Sequence, residues 1–141
     1  MTERLKLDTD VLGLSSLLER VAGVRVKDCF KDENNEVVYY IVETGDLGKA
    51  VGKGGVNIHR VQESLGKKVK VIEYRDNVID FVKNVIYPLQ VQEVTMEGDM
   101  IIIKESSTKT KSLLIGREGK NLKVLNRAVK RFFKIEGVKI I

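Results

Sequence analysis

Cysteine, histidine, proline and tryptophan are nearly absent from this chain of 141 residues, which has one of each of the first three and no tryptophan. The single cysteine, Cys29, excludes an intrachain disulfide and a cysteine-rich zinc site. A Ser-His-Asp or Cys-His catalytic set would depend on the only histidine, His59. His59 has no neighbouring His or Cys to share a metal ion, so we expect a surface or partly packed residue rather than a ligand. The sequence therefore predicts a protein that is not an enzyme and has no cofactor or metal.

Aromatic residues and long apolar runs are also scarce. Aromatics make up 6% of the chain, so extensive stacking of bases on aromatic side chains is not expected. No apolar run approaches the roughly 20 residues that a membrane helix needs. The first ten residues, MTERLKLDTD, lack the apolar core of a signal peptide. We therefore expect a cytoplasmic protein that does not enter a membrane.

Charge is present in abundance and is unevenly distributed along the chain. The net charge is +5, yet residues 1–46 carry 6 basic and 10 acidic groups and residues 76–103 carry 1 and 5. Residues 47–75 carry 7 basic and 2 acidic groups, and residues 104–141 carry 11 and 3. Two basic blocks that alternate with acidic ones predict two polyanion-binding places on an otherwise acidic body.

An eight-residue pattern occurs once in each basic block, 64 residues apart. Residues 51–58 read VGKGGVNI and residues 115–122 read IGREGKNL. Both copies have the order apolar, Gly, basic, any residue, Gly, any residue, Asn, apolar. Two glycines around two other residues arise often by chance, so the flanking sequence must show whether the repeat is structural.

The flanks predict the same order of elements around both copies: helix, β-hairpin, short helix, glycine loop, longer helix and strand. In the first half we expect these elements at about 10–21, 24–30, 37–43, 47–51, 56–65 and 68–73. In the second half we expect them at about 76–87, 91–96, 100–104, 109–115, 120–134 and 138–141. The predicted N-caps include Thr9, Asp46 and Thr108. Each half is thus αββααβ, with a boundary near Arg75.

This order, with a G-x-x-G loop between the two later helices, resembles the type II KH domain. Two fused copies are similar to the paired KH segment of the transcription factor NusA, particularly its short archaeal form. The resemblance implies an α+β fold of two tandem type II KH domains, residues 1–75 and 76–141, each with a three-stranded mixed sheet covered by helices. It also implies binding of single-stranded RNA in transcription elongation, pausing or termination, with RNA polymerase as a candidate partner.

The two glycine loops have the chemistry that phosphate binding requires. Glycine lacks a Cβ, so a nucleic-acid backbone can approach the main chain closely. Each loop opens onto a helix N-terminus, where N–H groups and the helix dipole favour phosphate. Lys53 or Arg117 inside each loop can contact phosphate directly, and such a KH loop clamps about four nucleotides. The predicted RNA-binding residues are Lys49, Gly52, Lys53, Gly54, Gly55, Arg60, Gly116, Arg117, Glu118, Gly119, Lys120, Lys123 and Arg127.

Basic residues also recur every three or four positions on the second long helix, opposite its leucines. They form either a phosphate-binding face or a merely hydrated one, and we favour the first interpretation. These residues are Lys120, Lys123, Arg127, Lys130, Arg131 and Lys134.

Several residues near the loops have two interpretations. Glu118 places an acid in the second loop, where it either repels phosphate or points to solvent. Asn57 and Asn121 either contact RNA or act locally at the start of a helix, and we favour the local role. Apolar residues around the loops either line a groove for bases or belong to the core; they are Val51, Val56, Ile58, Ile115 and Leu122.

Two other classes of function remain compatible with this pattern. The same fold could serve a structural ribosomal or ribosome-assembly protein that binds folded RNA. It could also serve a protein–protein adaptor that contacts RNA polymerase, in which case reversing the charge of the loops should leave function intact.

Overall fold

The computed structural model describes the backbone of residues 2–141 and the side chains of residues 12–141. Contacts divide the chain into two compact units, of which the first ends at Tyr74 and the second is Arg75–Ile141. The first unit contains α1 (Thr2–Ala22), β1 (Val26–Lys31), β2 (Val37–Val42), α2 (Leu47–Val51), α3 (Val56–Leu65) and β3 (Lys68–Glu73). The second contains α4 (Val78–Ile86), β4 (Glu93–Glu97), β5 (Met100–Lys104), α5 (Thr108–Ile115), α6 (Lys120–Phe132) and β6 (Gly137–Ile140). Both units therefore have the order αββααβ.

Each unit contains a three-stranded mixed sheet. In the first, the hairpin strand β2 is central, antiparallel to β1 and parallel to β3. In the second, β5 is central, antiparallel to β4 and parallel to β6. The parallel pairing requires a crossover, which the two later helices of each unit supply. The predicted α+β class with mixed sheets and helices is confirmed.

The core of the first unit places the helices on either side of its glycine loop. Alternate residues of β2, including Tyr40, point to one face of the sheet and are buried against α1. Ala50 of α2 and Val61 of α3 are fully buried in the same cluster. Because these two residues lie before and after the loop, their burial holds both ends of the loop against the sheet.

Tyr40 also joins the sheet to α1 through a hydrogen bond. Its hydroxyl donates to the carbonyl oxygen of Leu14 at 2.8 Å, and the contact is buried. Burial raises the pKa of Tyr40 above its ordinary value, and the nearby Cys29 raises it further. Cys29 is buried in the same core, as expected for a small apolar residue.

The second unit packs around aromatic and branched residues. Phe81 of α4 is fully buried, with its ring centroid 5.8 Å from those of both Phe132 and Phe133. Leu114 of α5 and Leu125 of α6 are buried on the two sides of the second loop. The second loop is thus anchored at both ends by buried side chains, as the first one is.

A polar contact recurs at the last strand of each unit. The Gln62 side-chain oxygen accepts from the Val69 N–H at 3.1 Å, and that of Asn126 accepts from Val138 at 3.0 Å. Val69 and Val138 are each the second residue of the final strand. The repeat therefore extends from the order of elements to individual side chains.

The predicted helix starts are partly wrong. The helix α1 begins at Thr2, so Thr9 lies inside it and is not its cap; the side chain of Thr9 lies outside the described residues. Asp46 is the N-cap of α2 but has helical dihedrals and makes no side-chain cap bond. A capping side chain normally requires an extended backbone to reach the first N–H groups. Ser107, not Thr108, caps α5, since its hydroxyl accepts from Thr110 N–H at 3.2 Å.

Candidate nucleic-acid interface

The first loop (residues 52–55) and the second loop (residues 116–119) have nearly the same backbone path. Each leaves its short helix at a glycine, with φ 79° and ψ 166° at Gly52 and φ 75° and ψ 171° at Gly116. Each then makes one 3₁₀ turn, Lys53–Gly55 or Arg117–Gly119, before the longer helix starts. A hydrogen bond of 3.0 Å from Gly55 N–H to Gly52 O closes the first turn, and one of 3.1 Å closes the second. The loops are therefore defined turns that interrupt the helix.

The first glycine of each loop makes room for an asparagine. Its dihedrals fall in a region that is open essentially to glycine alone. A Cβ at Gly52 would lie 2.9 Å from Cγ of Asn57, and one at Gly116 would lie 2.7 Å from Cγ of Asn121. The place of the missing Cβ is therefore filled by a side chain of the same chain, and the approach of an RNA backbone at this glycine stays a prediction.

The asparagines connect the two helices of each loop. Asn57 Nδ2 donates to the carbonyl oxygen of Lys49 at 2.8 Å, and Asn121 Nδ2 donates to that of Leu113 at 2.8 Å. Both carbonyls belong to the last turn of the short helix, where intrahelical partners run out. Each asparagine thus makes a local hydrogen bond, as favoured from the sequence, but it bonds the helix before the loop and does not cap its own helix.

The later glycines of the loops face open space. Gly54, Gly55 and Gly119 have positive φ of 65°, 77° and 75°. No described atom lies within 4 Å of a Cβ at Gly54 or Gly119, and only the His59 ring approaches one at Gly55, at 3.6 Å. His59 itself is exposed. These are the positions at which another backbone can come close.

Glu118 occupies the place in the second loop that Gly54 has in the first. Its φ is 58° and its ψ 25°, a left-handed conformation that costs a residue with a Cβ roughly 1–2 kcal/mol. Its side chain is exposed. The two loops therefore differ in charge at a position where their backbones agree.

The predicted basic residues around the loops are at the surface. Lys49 on α2, Lys53 in the first loop and Arg60 on α3 are exposed. In the second unit Arg117, Lys123 and Arg127 are exposed, while Lys120 is half-buried. Each set belongs to the loop or to a helix that the loop joins.

The longer helix of the second unit carries far more basic charge than that of the first. The basic residues of α6 follow helical spacing, and we call them together the basic face of α6. They are Lys120, Lys123, Arg127, Lys130 and Arg131. Leu125, Ala128 and Val129 are buried on the opposite side. Lys134 was predicted to extend this face, but α6 ends at Phe132. On α3 the only basic residue is Arg60.

Apolar side chains around the loops are more exposed than a core position would be. Val56 and Ile115 are 42% and 39% exposed. Val51, Ile58 and Leu122 are half-buried. Leu113 of α5 is 48% exposed and was not predicted; its place two residues before Ile115 was the available signal. Apolar surface therefore accompanies the charged surface at both loops.

Metal binding and membrane insertion are two further properties that bear on the role of the chain. Among the residues with described side chains, no group of three or more His, Cys, Asp or Glu could hold a metal ion. Within the described part of the chain, no helix is both long and apolar enough to cross a membrane.

A comparison with family models identifies this arrangement. A model described as "KH domain" matches residues 15–94, more than half of the chain. The chain belongs to the KH domain family. The KH match contains the first loop in full, and the second loop follows it along the chain.

Individual relatives extend the similarity over nearly the whole chain. The "Probable transcription termination protein NusA" of Methanocaldococcus jannaschii is 34% identical over 98% of this chain and 76% of its own length. The protein of the same description from Halococcus morrhuae is 29% identical, covering 97% of this chain and 99% of that one. A crystal structure of the protein APE1850 has 30% identity and a TM-score of 0.73, covering 94% of this chain and 98% of its own. The predicted resemblance to short NusA-like KH proteins is confirmed.

Proposed function

We propose that this chain binds single-stranded RNA through two tandem type II KH domains, residues 1–75 and 76–141, without catalysing a reaction. The observation that carries the proposal is the pair of matched loops, each with open glycine surface, an exposed basic side chain and a helix start. Phosphate is favoured at such a place by N–H groups, by the helix dipole and by the cation. The second unit lies largely beyond the matched KH residues, and its equal element order, strand order and loop dihedrals support the same assignment.

The cellular process follows from the named relatives. The two relatives above are described as probable transcription termination proteins. We propose that this chain acts in the same process, by holding nascent RNA in the cytoplasm during elongation, pausing or termination. RNA polymerase is the protein partner that this role implies.

The test is a reversal of the charge of both loops. The variant Lys53→Asp with Arg117→Asp places carboxylates where phosphates would bind, so we expect affinity for a single-stranded RNA oligonucleotide to fall at least about tenfold at 0.1 M salt. The matched control is Lys83→Asp with Lys139→Asp, which changes net charge equally at exposed positions of α4 and β6. We expect the control to bind within about twofold of the parent chain, since distant exposed charges are largely screened.

Two results would reject the loops as the RNA site. One is unchanged affinity of the loop variant, with circular dichroism showing that it is folded. The other is an equal loss in the loop variant and the control, which would mean that net charge alone attracts RNA. Unchanged RNA affinity of the loop variant, together with intact binding to polymerase, would favour the adaptor alternative.

A further inference from the structure

We propose that Asn57 and Asn121 are positioning residues for RNA binding, because each holds its loop in the form that presents the basic side chain. This inference rests on the proposed function and adds residues to the same site. The Gly–Asn pairs are Gly52 with Asn57 and Gly116 with Asn121. The asparagines do not need to touch RNA, because each one acts on the turn that lies between it and its glycine.

The hydrogen bonds of the Gly–Asn pairs span the turn. Asn57 follows the first loop and bonds Lys49 O, eight residues earlier, in the helix before the loop. Asn121 and Leu113 O have the same separation and the same 2.8 Å distance. Each amide therefore connects the start of the longer helix to the end of the shorter one. The basic residue of the loop, Lys53 or Arg117, lies in the sequence between the two residues that are bonded.

Packing makes each glycine and asparagine dependent on the other. A Cβ at Gly52 would also lie 2.9 Å from Asn57 Nδ2, and one at Gly116 would lie 2.8 Å from Asn121 Nδ2. Real Cβ atoms do not approach heavy atoms so closely, so a side chain at the glycine would displace the amide. The hydrogen bond of the asparagine thus requires a glycine at the start of the loop, and this arrangement occurs in both units.

The consequence for RNA is preorganisation. A loop that already has its bound form avoids the entropy cost of ordering when phosphate binds. Without the amide, the turn that carries Lys53 would sample more conformations, and the cation would meet phosphate less often. Binding should weaken even though no RNA contact is removed.

The variants Asn57→Ala and Asn121→Ala, made together in the full chain, test this role against two matched controls. Gln62→Ala and Asn126→Ala, also made together, remove side chains that bond the backbone of the final strands. Asn126 resembles Asn121 further, since a Cβ at Gly137 would lie 3.1 Å from its Oδ1. Both double variants should lower the free energy of unfolding, but only the first should lower RNA affinity, by about tenfold. The slope of log affinity against log salt should stay unchanged for both double variants, because the bound state still contacts the same phosphates.

A second pair of measurements asks whether the asparagines act through the loop cations. In the Lys53→Asp, Arg117→Asp background, the two Asn→Ala changes should cause little further loss, since interacting residues are not additive. A full additional loss would mean direct RNA contact and would overturn the positioning role. Unchanged affinity of the Asn variants, or an equal loss in the Gln62 and Asn126 controls, would overturn it too. Failure of the proposed function would give a different result. In that case the Lys53→Asp, Arg117→Asp variant, without the Asn changes, would already bind RNA as the parent chain does.

Discussion

At the scale of single residues, glycines with the same place in a motif have different reasons to be glycine. Gly52 leaves space for an asparagine, whereas Gly54 leaves space at the surface. Glu118, at the place equivalent to Gly54, has the same left-handed backbone and a carboxylate beside the proposed path of phosphate. The side chain at this position therefore affects both the stability of the loop and its charge.

We predict that Glu118→Gly and Glu118→Gln separate these two effects. Both remove the carboxylate, so RNA affinity should rise roughly threefold at 0.1 M salt for each. Only the glycine variant relieves the left-handed strain, so it alone should gain up to about 1 kcal/mol in unfolding free energy. Binding titrations and denaturant unfolding measure the two quantities.

The reciprocal change is Gly54→Glu in the first loop, which should lower both affinity and stability. If the two Glu118 variants bind RNA like the parent chain, the carboxylate points to solvent and does not influence phosphate.

At the scale of helices and strands, apolar periodicity placed the elements, and contacts decided their ends. The predicted bounds of α2, β3 and β5 agree with the structure. The start of α5 depends instead on which of two neighbouring hydroxyls reaches an N–H group, and Ser107 does so. The helix α6 likewise ends before Lys134, because Phe133 has an extended backbone.

We predict that Tyr40→Phe weakens the attachment of β2 to α1. The change removes the buried hydroxyl that bonds Leu14 O and should cost about 1 kcal/mol of unfolding free energy near pH 7. Burial raises the pKa of the folded Tyr40 above its ordinary value of 10.0. The stabilisation linked to its proton is therefore complete below pH 10. It is lost as the pH rises above the pKa of the unfolded tyrosine and through the higher pKa of the folded one.

Denaturant titrations at pH 7 and above pH 10 check both parts of this prediction. The parent chain should lose stability between the two conditions more steeply than Tyr40→Phe. Parallel losses in the two proteins would show that Tyr40 has no part in the alkaline change.

At the scale of the whole molecule, two units of one design differ in charge. Residues 104–141 carry 11 basic groups and 3 acidic ones, against 7 and 2 in residues 47–75. The surplus lies largely on the basic face of α6, while α3 contributes Arg60 alone. We infer that the second unit supplies more of the salt-dependent attraction and that the first loop, without a carboxylate, binds phosphate more closely.

The variant Lys123→Ala, Arg127→Ala, Lys130→Ala should reduce the slope of log affinity against log salt by about 0.7 for each phosphate that is no longer neutralised. Binding through the first loop should remain. The control is Lys83→Ala, Lys104→Ala, Lys139→Ala, which removes the same charge from other exposed positions of the second unit. Equal slopes in the two triple variants would show that the basic face of α6 does not touch RNA.

The order of amino acids was enough to define the repeat, the succession of elements and the place of both loops, because apolar periodicity and glycine spacing act over a few neighbouring residues. It also indicated the basic face of α6 for the same reason. Three-dimensional packing was needed to reveal that Gly52 faces Asn57, that Asn57 bonds Lys49, and that Leu113 is exposed. The Gly–Asn and Asn–carbonyl contacts join residues five to eight positions apart across a turned backbone, and their distances follow from how the core orients the two helices.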